Sequence, residues 1–154
     1  MMAVFTRLPR HEDPARVPRA LDGETGMFIV DATWGKIQPM SLAPSVRTVG
    51  ELELIEHLRT ERPLVDCRLP GYVEHGTIPG AVNIPHEEIA ERMGELDPVE
   101  PTVVFCNGPQ CTATAHATDA LLAAGWPPER LLYYRGGIHD WVTLGLPLAR
   151  PRAD

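Results

Sequence analysis

From residue 46 onward, short apolar runs alternate with segments whose apolar residues recur every three or four positions. Apolar runs bounded by turn residues are read as buried strands, and recurrence near 3.6 marks helices. On that rule residues 46–48, 63–67, 81–85, 102–106 and 130–134 are predicted strands, with 102–106 the clearest. Residues 49–58 are predicted helical, with Leu52, Ile55 and Leu58 on the apolar side. The same pattern predicts a helix over 86–96 through Ile89, Met93 and Leu96. A further helix over 113–124 lines one face with Ala113, Ala117, Leu121 and Ala124, and Gly125 closes it. Residues 72–76 and 138–144 supply a turn or two more. Short strands separated by helices predict an α/β fold, a parallel sheet covered on both faces.

Residues 1–44 break this pattern, punctuated by Pro9, Pro14, Pro18, Pro39 and Pro44. They read as a partly irregular arm, with disorder expected over 1–25, where charge and proline dominate. Residues 27–40 are apolar enough to lie against a body or a second copy, so a homodimer through 27–40 is an expectation. The predicted division is therefore an arm at 1–44, one domain at 45–150 and a tail at 151–154.

Composition narrows the partners. Hydrophobic residues make up 44% of the chain, sufficient for a core. Fourteen Lys and Arg against 21 Asp and Glu give a net charge of −7, which argues against nucleic-acid binding. No run approaches the roughly 18 apolar residues of a membrane span, and the N-terminus lacks a signal-peptide pattern, so a cytoplasmic, membrane-free protein is expected. Three cysteines exclude a disulfide-built scaffold and leave thiols for chemistry. The histidines show no metal-ligand spacing, so no metal and no cofactor are expected.

The richest chemistry follows the clearest strand, where Cys106 leads into Asn107-Gly108-Pro109-Gln110-Cys111 and then a helix. Ligands of open α/β sheets bind beyond the carboxyl ends of strands. Loop amides and a helix N-terminus there lower a thiol's pKa and hold an anion, such as a persulfide, bonded to it. Cys106 is thus the candidate nucleophile, set against the alternative of a small buried hydrophobe. Asn107, Gly108, Gln110, Thr112, Ala113 and Thr114 form the candidate anion cradle, while Pro109 has no amide proton to give. Cys111 has three readings: a resolving thiol, a sulfur carrier itself, or packing in the first helical turn. Cys67 reads as packing. Asp66 and Arg68 read as a pair supporting the loop, and Arg135, Gly136 and His139 as support from a neighbouring loop. Trp141 reads as core, and Gly76, Gly80, Gly136 and Gly137 as turn or close-approach glycines.

The segment Gly76-Thr77-Ile78-Pro79-Gly80-Ala81-Val82-Asn83-Ile84-Pro85, preceded by Val65-Asp66-Cys67-Arg68, resembles the rhodanese family before its catalytic strand. Arg135-Gly136-Gly137-Ile138-His139-Asp140-Trp141 resembles that family's closing Gly-Gly-x-x-x-Trp. The resemblance spans residues 46–148. It implies one rhodanese-like domain, a five-stranded, mainly parallel sheet flanked by helices. It also implies a sulfurtransferase in which Cys106 carries a sulfane sulfur from a small donor to a thiol or cyanide acceptor. Two departures stand out. No Lys or Arg occurs from Cys106 to Glu129, and the loop is longer, resembling the subgroup with two loop cysteines. A doubly charged donor such as thiosulfate wants a cation near the thiol, so the natural donor is left open. Two other classes stay in view: a non-catalytic or redox-sensing interaction module, and a thiol phosphatase or arsenate reductase, which would want an arginine closing the loop.

Overall fold

The computed structural model describes residues 19–25, 27–29 and 37–153. An antiparallel pair, β1 (Arg19–Ala20) and β2 (Phe28–Ile29), precedes the sheet. The strands of the sheet are β3 (Arg47–Val49), β4 (Leu64–Asp66), β5 (Val82–Asn83), β6 (Thr102–Phe105) and β7 (Leu131–Tyr134). The helices are α1 (Glu51–Arg59), α2 (Pro70–Val73), α3 (Ala113–Ala123) and α4 (Gly137–Thr143). The strand order is β3-β7-β6-β4-β5, and every pairing in it is parallel.

Alternation along the strands divides the core into two layers. Val65, Val104 and Tyr133 face one way, against Ala117 and Leu121 of α3 and against Ile89. Leu64, Val103, Phe105 and Tyr134 face the other way, against Leu54 of α1 and Ile138 and Trp141 of α4. Both faces are covered, so β4 and β6 are buried throughout, and Asp66 and Thr102 are their two polar residues. Central β6 pairs on one side with β4, Asp66 beside Phe105, and on the other with β7. The loops after β4, β6 and β7 therefore leave the same edge of the sheet side by side.

Three details depart from the sequence pattern. In α1, Leu54 is fully buried while Leu52 is 84% exposed. The inward face is set by Leu54 and His57, whose Nε2 lies 2.6 Å from the Pro63 carbonyl, and Leu52 sits more than half a turn away from it. Residues 86–96 form successive turns ending in a 3₁₀ turn, Met93–Glu95, rather than an α-helix. Ile89 and Leu96 still point into the core, but Gly94 and the carboxylates at 87, 88, 91 and 95 weaken the helix. Ala124 lies beyond the end of α3 and is exposed. The disorder expected over residues 1–25 falls largely outside the described residues, as does much of the 27–40 patch. Of that patch, Met27, Ile37 and Met40 are exposed. Among the described residues, no helix is long and apolar enough to cross a membrane.

Candidate active site

The adjacency of β4 and β6 brings Asp66, Cys67 and Arg68 against Cys106 and Asn107. Asp66 and Arg68 are 0% and 2% exposed, and the pair is bonded on every side. The Asp66 carboxylate accepts from the Arg68 amide at 2.9 Å, from Nε at 3.0 Å, from Nη2 at 2.7 Å and from the Thr77 hydroxyl at 2.7 Å. Arg68 also donates to the carbonyls of Gly76 at 2.8 Å and Tyr72 at 3.3 Å, and reaches the Asn107 side-chain oxygen at 3.5 Å. Asn83 Nδ2 ties the main chain of this corner by donating to the Asp66 and Arg68 carbonyls. Arg68 thus stands as the cation beside a loop that carries none of its own.

The loop between β6 and α3 is held from two further directions. Gly137 comes within van der Waals range of the loop's start, where any Cβ would lie 2.4 Å from the Cys106 carbonyl oxygen and 2.7 Å from the Gly108 nitrogen. Its φ of +60° also suits glycine. Past it, the amides of Ile138 and His139 donate to the Cys106 and Asn107 carbonyls at 3.1 and 2.7 Å. Gly137→Ala should therefore cost about 2–4 kcal/mol, combining positive φ with overpacking. Urea unfolding measures it, and an unchanged midpoint would contradict the packing described. The second restraint is Gln38, which the sequence did not single out. Its main-chain amide donates to the Pro109 carbonyl at 2.7 Å, and its main-chain carbonyl accepts a fork from Arg135, Nε at 3.1 Å and Nη2 at 2.9 Å. Arg135 therefore binds the segment that straps the loop, rather than lying free for a substrate. His139 is turned to Asp140, with Nδ1 3.1 Å from its carboxylate.

The two loop thiols occupy different places. Both are free, as is Cys67. Cys111 lines a cavity of about 190 Å³ with Arg68, Leu69, Tyr72, His86, Asn107, Thr112, Ala113 and His116, and Cys106 is not on its wall. A turn closed by the Cys111 amide on the Gly108 carbonyl, at 3.0 Å, folds the loop back over Cys106. Cys106 Sγ then lies 3.7 Å from the Cys111 carbonyl oxygen. Beneath the loop its neighbours include the buried hydroxyl of Thr114, which also faces Cys67. Gln110 packs its side chain against Gly108, and the rings of His86 and His116, both on the cavity wall, meet at a tilt with centroids 5.7 Å apart. Clefts of about 610 and 780 Å³ open elsewhere, but no cysteine lines them. Among the described residues, no three His, Cys, Asp or Glu gather as a metal site.

These positions separate the thiols electrostatically. Burial, then its hydrogen bond with Cys111, hold the Cys106 thiol well above its ordinary range. That bond is also the main influence on Cys111, joined by the Ala113 and Asn107 amides and the charge of Arg68; against burial, they bring it down to about 7. Burial holds Cys67 protonated. One thiol should therefore alkylate with a rate that rises through about pH 7 and levels off above about pH 8.5, because only the thiolate reacts. Mass mapping after iodoacetamide treatment checks this. A Cys111 rate still climbing at about pH 9.5, as for an ordinary thiol, would contradict it.

A parallel five-stranded sheet with an ionisable thiol in the loop beyond its central strand defines an α/β thiol domain. The profile of the family described as Rhodanese-like domain matches residues 51–144, and the chain belongs to that family. It is 36% identical over 88 residues to the HTH-type transcriptional regulator Rv0324 of Mycobacterium tuberculosis, covering 57% of this chain and 38% of the regulator. It is 35% identical over 88 residues to a sulfurtransferase of Allochromatium vinosum, covering 57% of this chain and 78% of that protein. The chain thus spans well under half of the regulator. Among solved structures, the human single domain sulfurtransferase superposes with a TM-score of 0.53 at 26% identity, over 64% of this chain and 96% of that one.

Proposed function

We propose that the chain is a sulfurtransferase that takes a sulfane sulfur as a persulfide on the thiol pair of the loop after β6 and hands it to a small thiol or cyanide. The observation that carries this reading is an ionisable cysteine, Cys111, on the wall of a cavity, backed by loop amides and by Arg68. A thiolate there attacks the terminal sulfur of a donor X–S⁻, such as an organic persulfide R–S–S⁻; the new S–S bond gives Cys–S–S⁻, and X leaves with the electron pair of the broken S–X bond, as R–S⁻ in that case. The amides of Ala113 and Asn107, already aimed at sulfur, stabilise the anion that forms. Arg68 supplies positive charge, although its fork is held by Asp66, so the site favours a donor of modest charge over a dianion. The likeness to the Allochromatium sulfurtransferase supports the same reading. A second reading, in which the thiol pair senses sulfur or redox state for a partner, is favoured by the likeness to a transcriptional regulator. Incubation with organic and inorganic sulfane-sulfur donors plus cyanide decides between them. Repeated turnover to thiocyanate supports the enzyme; a single stoichiometric thiol modification without turnover supports the sensor.

A further inference from the structure

We propose that the two loop thiols act in series: Cys111 takes the sulfane sulfur at the cavity, and Cys106 then attacks Cys111 Sγ, releasing the outer sulfur as hydrosulfide. This rests on the sulfurtransferase reading and adds to it an internal exit for sulfur. It reverses the order implied by family resemblance, in which the residue at the strand end is the carrier.

The placement of the thiols carries the proposal. A donor entering the cavity meets Cys111, 7% exposed and on its wall, before Cys106, which is 2% exposed, off that wall and under the turn at residues 108–111. Cys106 Sγ lies under Cys111 at its main chain, 3.7 Å from the Cys111 carbonyl oxygen, and the two thiols are close enough to shift each other's ionisation. A persulfide on Cys111 therefore projects its outer sulfur into the cavity and leaves its inner sulfur next to Cys106. Thiol–disulfide exchange is governed by access and by which sulfur is reached, and here the sulfur within reach is Sγ of Cys111.

The step balances without an outside oxidant. Cys111–Sγ–S⁻ and Cys106–SγH give the Cys106–Cys111 disulfide and HS⁻. The bond between Cys111 Sγ and the outer sulfur breaks, and its electron pair leaves with that sulfur. The Cys106 proton passes to the outer sulfur as Cys106 attacks as its thiolate, so the leaving group is HS⁻ and the proton is accounted for. The two cysteines are oxidised as the sulfane sulfur is reduced. A low-molecular-weight thiol, in two equivalents, then reduces the disulfide and restores the pair. An acceptor that enters the cavity first takes the outer sulfur instead, so the pair chooses between transfer and sulfide release.

The test loads the full chain with one equivalent of polysulfide in the absence of acceptor, removes excess donor, and follows intact mass and released sulfide. The expected result is a persulfide that decays to a protein two hydrogens lighter than the reduced form, with one hydrosulfide per chain. Cys106→Ser should hold its persulfide at least tenfold longer and release no sulfide; Cys106→Ala gives the same readout if the serine variant unfolds. Equal persulfide lifetimes in wild type and variants would overturn the serial step while leaving sulfur uptake standing. No mass gain in any of them would overturn the underlying sulfurtransferase reading, and the serial step with it.

Discussion

Sulfur uptake at pH 7 should fall roughly 10³-fold or more when Cys111 is replaced by serine, because a hydroxyl there has no anion to offer near neutrality. The effect is large because the environment of this one thiol is specialised. The Cys106 bond, two amides and Arg68 together bring it to about 7. Cys106→Ala should behave differently. It removes the leading stabiliser of the Cys111 thiolate but leaves the cavity wall intact, so uptake persists and its pH profile moves upward. Stopped-flow or quenched mass measurements of persulfide formation across pH would record both results. Equal loss in the two variants, with no change of profile, would contradict the separation of roles.

Asp66→Ala should destabilise the fold by about 3–5 kcal/mol, the usual consequence of stripping one partner from a buried ion pair. Arg68 is 2% exposed and donates three of its bonds to this carboxylate, through Nε to both oxygens and through Nη2 to one. Without Asp66 its charge remains in a buried corner with only the carbonyls of Tyr72 and Gly76 and the oxygen of Asn107. The Thr77 hydroxyl and the Arg68 amide lose their acceptor as well. For a chain of this size the melting temperature should drop by about 6–20 °C, at about 2–4 °C per kcal/mol. Calorimetry measures it. A loss below about 1 kcal/mol, the value of an exposed pair, would show that water reaches this corner.

Local pattern sufficed where residues act through their neighbours in sequence. The run Thr102–Phe105 announced the central strand, and the cysteine after it announced the loop. Gly125 ended α3 with a φ of +92°, as its position after an amphipathic run suggests. What the pattern missed depends on strand order. The absence of a cation between Cys106 and Glu129 looked like a defect of the site, yet pairing of β4 with β6 sets Arg68 beside Asn107. Arg135 read as support from a neighbouring loop, but the pattern gave no sign that it acts through Gln38, almost a hundred residues earlier, whose main-chain carbonyl takes its guanidinium. His86 and His116 meet on the cavity wall from segments that carry no shared motif. Residues 86–96 show the opposite error: the apolar spacing correctly identified Ile89 and Leu96 as inward, but tight turns present the same side without a helix.

The most direct test of the central claim is to find the sulfur. The chain is loaded with one equivalent of a sulfane-sulfur donor, its persulfide is capped by alkylation at once, and the peptide spanning both loop cysteines is fragmented in the mass spectrometer. The expected result is one additional sulfur on Cys111 and none on Cys67. Sulfur found only on Cys106 would reverse the order of the two thiols while keeping the loop as the carrier. An additional sulfur on neither loop cysteine, with every donor tried, would contradict the sulfurtransferase account itself.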